Sequence, residues 1–220
     1  MMKMQNLSAS TAAVVCIVIL NSCSLAATDL TSKPGHATKP KAPAIKHSAG
    51  YSSLGWRPSP ALRVRLGVLN QFENYAIRPP RGYTQTVTNR GAQTYYYWTG
   101  DPHDNGASPE LLIETDVKLS GTPMDNQTLY AEEVAKTKRQ YLAVSFSPFE
   151  TGTLNGLPFF RTYYRGSDQR GFTHHGVVYV MVDGTEVYSV TGDDTDPYSD
   201  KTLPIMEAAA RTFQKPATEQ

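Results

Sequence analysis

Acidic residues and histidines gather in two polar stretches, Asp101-Pro102-His103-Asp104-Asn105-Gly106 and Gly192-Asp193-Asp194-Thr195-Asp196-Pro197-Tyr198-Ser199-Asp200, with an adjacent pair at His174-His175. Imidazole and carboxylate are zinc ligands, and clustered carboxylate oxygens suit calcium, so both stretches have the right atoms for a metal. Their spacing argues for turns instead. The first holds the Pro, Asn, Gly and Asp of any long turn. The second departs from an EF-hand loop, with Tyr198 at the fifth position, no Gly at the sixth and no Glu at the twelfth. His174 and His175 are neighbours, and a strand sends neighbours to opposite faces, so the two do not chelate one ion. No GxSxG, SxxK, HExxH or CxxC motif accompanies them. The expectation is therefore no catalytic residue, no metal and no cofactor. An envelope hydrolase or metal-dependent enzyme built from Asp101, His103 and Asp104 with His174 or His175 is the alternative.

The cysteines mark a second kind of chemistry. Only Cys16 and Cys23 occur. Cys16 sits in an uncharged, mostly apolar run from Thr11 to Leu20 that follows Lys3, the pattern of a secretory signal peptide. A run this short does not cross about 30 Å of hydrocarbon as a stable helix. Leu20-Asn21-Ser22-Cys23 resembles a bacterial lipobox, with a small residue before the cysteine to be lipidated. Ser24-Leu25-Ala26 offers a competing site for ordinary signal cleavage. The expectation is a signal peptide over 1–22, lipidation at Cys23, and a place in the bacterial cell envelope, anchored to the membrane and facing the periplasm or exterior. A chain beginning at Cys23 keeps no thiol for a disulfide or a zinc-thiolate site.

Behind that cysteine, residues 23–60 are rich in Lys, Pro, Ala and Ser, as in Lys33-Pro34 and Lys39-Pro40-Lys41, and poor in bulky apolar residues. Such a segment buries too little surface to offset its ordering entropy and reads as a flexible tether. Residues 61–214 are expected to form one domain and 215–220 a disordered tail. Across 220 residues, 21 Lys and Arg balance 20 Asp and Glu. That near-neutral balance lacks the basic footprint of a nucleic-acid binder. The partners expected are a membrane, through Cys23, and a protein or envelope component.

Within the domain, Asn155-Gly156 and Asp183-Gly184 between apolar runs predict hairpins, because two-residue turns need positive φ. Strands are expected over 61–69, 72–77, 83–88, 93–99, 111–119, 157–164, 177–182 and 186–191, with loops over 165–172 and from Gly192. Tyr95 and Tyr97 should share one face, Tyr96 and Trp98 the other. A helix capped by Asp125 or Asn126 should run to Tyr141 on a face of Tyr130, Val134, Thr137 and Tyr141. Its Glu132, Glu133, Lys136, Lys138 and Arg139 should be solvated. Asp200 should cap a last helix with a stripe of Leu203, Met206, Ala210 and Phe213, Pro204 in its first turn and Pro216 after its end.

Tyr75-x-Ile77, Pro79-Pro80-Arg81-Gly82-Tyr83, Leu154-Asn155-Gly156-Leu157-Pro158-Phe159, Gly176-x-x-Tyr179 and Ala209-Ala210-Arg211-Thr212-Phe213 together resemble the PsbP-like family, which includes bacterial DcrB-type lipoproteins. Tyr83 stands where the family usually carries Trp. The resemblance spans about Phe72 to Phe213. It implies an α+β fold, an α-β-α sandwich with a mostly antiparallel central sheet of about six strands and two main covering helices. It also implies a non-catalytic domain that binds a protein partner or envelope component.

Overall fold

Three long segments rich in aromatic and β-branched residues, over 157–167, 173–183 and 186–195, bury side chains on both faces and make the middle of an antiparallel sheet. The computed structural model describes residues 59–91, 93–117 and 125–216. The expected signal peptide, Cys23, nearly all of the tether and most of the tail lie outside the described residues. The elements in order are α1 (Pro60–Arg63), β1 (Asn70–Gln71), β2 (Ala76–Ile77), β3 (Thr84–Arg90), β4 (Gln93–Thr99), β5 (Glu110–Val117), α2 (Asn126–Lys138), β6 (Ala143–Phe146), β7 (Glu150–Leu154), β8 (Leu157–Ser167), β9 (Thr173–Asp183), β10 (Glu186–Thr195) and α3 (Ser199–Ala210).

The main sheet has eight strands in the order β3-β4-β5-β10-β9-β8-β6, with β7 sharing the outer edge of β8. All its ladders are antiparallel; hairpins or short links join most neighbours, whereas β5 and β10 pair at the centre from segments far apart in the chain. Alternation divides the side chains into two cores. Trp98, Leu111, Ile113, Phe159, Val177, Tyr179, Met181 and Val190 face α3 and the small β1–β2 hairpin. Phe160, Tyr164, Val178, Val180 and Val187 face Leu129 of α2. The fold is thus α+β, with a helix on each face of one large sheet.

Several local expectations hold. Asn155 and Gly156 sit at φ 49° and 86° in the two-residue turn between β7 and β8. Asn155 adds a tertiary role, donating from Nδ2 to the Phe213 carbonyl at 2.6 Å. Asp125 caps α2, its Oδ1 accepting from the Thr128 N–H at 3.0 Å.

Other expectations are corrected. The main sheet has eight strands rather than about six, because the two short strands β6 and β7 also pair along β8. Residues 61–69 do not form a strand: Ser59 caps a single helical turn with Pro60 at its start. Of the stretch 72–77 only Ala76–Ile77 is strand: the chain bends at Glu73-Asn74 and β2 folds back on β1, which precedes Phe72. Pairing with β9 carries β8 through Ser167 and β10 through Thr195, so Gly192 to Thr195 are strand and not loop. Helix α2 ends at Lys138 and buries Leu129, Glu133 and Thr137. Glu133 and Lys136 are not on a solvated face: Lys136 Nζ lies 2.9 Å from Glu133 and 2.8 Å from Glu114 of β5. Helix α3 starts from Tyr198 with no side-chain cap, carries Pro204 in its second turn, and ends before Phe213. Asp200 lies in its first turn, where a carboxylate still complements the helix dipole.

Candidate functional site: paired histidines, a crossing tyrosine and an open edge

Consecutive residues of a strand leave opposite faces, and Asp193 and Asp194 at the end of β10 do so. On the α3 side, fully buried Asp194 lies 2.9 Å from His103 Nε2 and accepts from the Thr202 hydroxyl and its neighbour Thr195 N–H. The His103 ring stacks on Tyr198 at 3.9 Å. On the α2 side, Asp193 Oδ1 lies 2.7 Å from His174 Nδ1, and Asp168 lies 3.5 Å from His174 Nε2. His175, opposite in direction to His174, lies 2.9 Å from exposed Asp196. Asp101 and Asp104 are exposed. The polar residues singled out by sequence therefore form three separate His–Asp pairs distributed over both faces of the sheet. They do not line one concave constellation, which leaves the hydrolase alternative without an assembled centre. Among the described residues, no group of three His, Cys, Asp or Glu is placed to hold a metal ion.

Asp193 has more partners than sequence reasoning found. One row of cross-strand neighbours runs Phe146, Tyr164, Gly176, Asp193, Glu110, Thr99 over β6, β8, β9, β10, β5 and β4. Gly176 has no side chain, so the Tyr164 ring lies across it and its hydroxyl donates to Asp193 Oδ2 at 2.5 Å. Tyr141 sits over Gly166 in the same manner and donates to the same oxygen at 3.1 Å. Burial first, and then the Asp193 charge, hold both tyrosines well above the ordinary phenol range, so they remain donors.

Glu110, beside Asp193 in that row, is pushed up from 4.5 to about 7, by burial first and Asp193 second. His174 is desolvated, which disfavours its charge, yet its hydrogen bond and charge interaction with Asp193, then those with Asp168, raise it overall. The two shifts act in the same direction on stability. A carboxyl raised in the folded state keeps its proton where the unfolded chain has lost it, so stability falls as pH rises from about 4.5 through about 7. A raised histidine contributes stability that is complete below its unfolded pKa and lost as pH rises through the folded one. We expect Glu110→Gln to stabilise the domain by about 1 to 2 kcal/mol at pH 8, after discounting for partial exposure, and to be neutral at pH 4. Urea midpoints at the two pH values measure this. An equal gain at both would mean that the carboxyl is not held protonated.

At the far side of the sheet the surface opens. All seven residues of β3 are exposed, and β3 is the last strand of the sheet. Tyr96 and Trp98 turn toward Phe72 and the core, as alternation requires. Tyr95 and Tyr97 take the other face, half-buried and stacked at 6.4 Å, with the Arg90 guanidinium 5.4 Å from the Tyr95 ring. Beside them on the same face lie Thr86 and Thr88.

A third polar group is structural. Arg161 of β8 and Glu207 of α3 are both buried and meet at 2.6 Å, with Tyr179 donating to Glu207 at 2.7 Å and Tyr163 at 3.1 Å. Arg211 Nε donates to the Tyr179 hydroxyl at 2.9 Å. The sequence signal for it was a single Glu inside Ile205-Met206-Glu207-Ala208-Ala209-Ala210 and a single Arg after Phe159-Phe160.

Known structures share this fold. By fold the chain is similar to cyanobacterial PsbP (CyanoP) from Synechocystis, with a TM-score of 0.51 and 9% identity over 76% of this chain and 97% of that one. It is also similar to LpqN of Mycobacterium tuberculosis, a protein involved in cell envelope biogenesis, with a TM-score of 0.50 and 13% identity over 64% of this chain and 82% of that one. No family model and no curated protein matches by sequence. The fold is PsbP-like. The residues that carry the resemblance explain why sequence revealed it: Tyr75, Ile77 and Phe213 pack in one core, with the Tyr75 and Phe213 rings stacked at 5.1 Å, and Gly82 and Gly156 occupy positive φ.

Proposed function

We propose that this chain is a bacterial envelope lipoprotein, tethered through Cys23, whose PsbP-like domain is non-catalytic and binds a protein by strand addition at β3. The exposed edge carries this reading. A seven-residue terminal strand, Thr84-Gln-Thr-Val-Thr-Asn-Arg90, has no proline or lysine and only one charge, at its end. Edges that are not used are commonly blunted by such residues, because unpaired N–H and C=O groups recruit another strand. Here the edge is flanked by Tyr95 and Tyr97, and aromatic residues with an apolar body and a polar tip are enriched at protein interfaces. An extended segment of the partner would add main-chain hydrogen bonds along β3 and place alternate side chains beside Thr86 and Thr88, on the face that Tyr95 and Tyr97 share. The likeness of fold to LpqN, a protein of envelope biogenesis, supports the envelope setting, and the lipobox-like Leu20 to Cys23 supports the tether.

A photo-crosslinking residue at Val87 of the full chain, in cells, tests the proposal against the same residue at Leu142, an exposed position at the other end of the sheet. We expect one discrete adduct from Val87 and none of that size from Leu142. The adduct should be in the membrane fraction and move to the soluble fraction with Cys23→Ser. An identical adduct pattern from both positions, or none from Val87, would refute strand addition. An adduct that stays with membranes in the serine variant would refute the lipid tether.

A further inference from the structure

Where the segment after α1 packs against the Pro79-Pro80 turn, the surface forms an open cleft of about 780 Å³ lined by Arg63, Leu66, Val68, Arg78, Arg81 and Thr212. The volume lies in the range that holds a small organic ligand. Three of those lining residues are arginines and none is acidic. The backbone around them is well tied: Gly67 N–H donates to Pro79 O at 2.7 Å, Arg81 N–H to Arg65 O at 2.8 Å, and Arg78 N–H to the Thr212 hydroxyl at 2.7 Å. Arg78 also donates from Nη1 to the Gly67 carbonyl at 3.4 Å, which orients its guanidinium along the cleft wall. Leu66 is buried at the base, whereas Val68 is largely exposed at the rim.

We infer that this cleft binds a phosphate ester carried on a partly apolar body. Guanidinium groups match phosphate oxygens with paired, charge-assisted hydrogen bonds, and a cluster of them suits the double charge of a phosphate monoester better than the single charge of a carboxylate ligand. The cavity is far larger than a phosphate alone, and Leu66 and Val68 provide apolar contact for what the phosphate is attached to. Nothing in this depends on strand addition at β3, since β3 residues do not line the cleft. The phosphate has two possible sources, an anionic lipid headgroup or a soluble phosphate ester.

The test uses the full chain with Cys23→Ser as the common background, so that lipidation is absent and any contribution of the N-terminal apolar run is shared by all samples. Binding is measured to phosphatidylcholine vesicles with and without phosphatidylglycerol, and to sn-glycerol 3-phosphate by calorimetry. The double variant Arg78→Gln, Arg81→Gln is compared with Lys138→Gln, Arg139→Gln, which removes equal charge from the helix on the other face of the sheet. We expect the first double variant to weaken binding about tenfold or more and the second to change it little. Loss confined to phosphatidylglycerol vesicles assigns the cleft to a lipid headgroup. Loss for glycerol phosphate as well assigns it to the phosphate ester itself. Equal effects of the two double variants, or no binding to either probe, would overturn the inference. Circular dichroism melting of each variant separates loss of the site from loss of the fold.

Discussion

Glu207→Ala is expected to destabilise the domain by about 3 to 4 kcal/mol, because removing one member of a buried ion pair leaves the other charge without compensation. Arg161 is almost wholly inaccessible to solvent, and Glu207 is the buried carboxylate it meets. Its other carboxylate partner, Glu150, is about half exposed, so it is a weaker substitute. Tyr163 and Tyr179 would lose the acceptor for their hydroxyls, and Arg211 would lose the carboxylate one helical turn before it. The loss should lower the melting temperature by about 10 °C in a domain of this size. Arg161→Met combined with Glu207→Leu should recover most of it, since a pair replaced whole by apolar groups of similar volume leaves no stranded charge. A single Glu207→Ala variant within about 1 kcal/mol of the parent would show that Glu150 and the tyrosines suffice for Arg161.

Gly176→Ala should cost a similar amount for a different reason. A methyl group at Gly176 would fall inside the Tyr164 ring, which occupies the space a side chain would take. Overpacking of this kind costs about 1 to 3 kcal/mol, and here the ring must also withdraw its hydroxyl from Asp193. Asp193 would keep His174 and Tyr141 but lose its shortest hydrogen bond, adding about 1 kcal/mol or more. The two effects have one origin, so Tyr164→Ala should remove most of the penalty of Gly176→Ala, and the double variant should fall well short of the summed single losses. Fully additive losses would mean that the strand, and not the tyrosine, resents the methyl group.

Both effects concern groups far apart in the chain, and this separates what could be read from residue order from what could not. Asn155-Gly156 announced its hairpin because positive φ at two successive residues is a property of those residues alone. Asp125 announced α2 through a hydrogen bond that spans three positions. The alternation of Tyr95, Tyr96, Tyr97 and Trp98 followed from the pleat, and the turn and core residues from Tyr75 to Phe213 were enough to identify a PsbP-like fold. Strand ends depend on pairing that overrides local signals: Gly192 to Thr195 look like loop until β9 lies beside them.

The polar sites needed tertiary structure. Glu133 and Lys136 have the order of a solvated helix face, and only the placement of α2 over β5 brings them to Glu114. Arg78 and Arg81 look like residues of an ordinary proline-rich turn until α1 and Thr212 close a cleft around them. His174 and Asp193 could be seen as polar residues, but their meeting, with Tyr164 reaching across Gly176, depends on the register of three strands. Residue order acts through φ, ψ and hydrogen bonds over a few positions, and so it defined turns, caps and alternation. Which charges meet is decided by register and packing between segments tens of residues apart, where a shift of one residue would send every side chain to the other face.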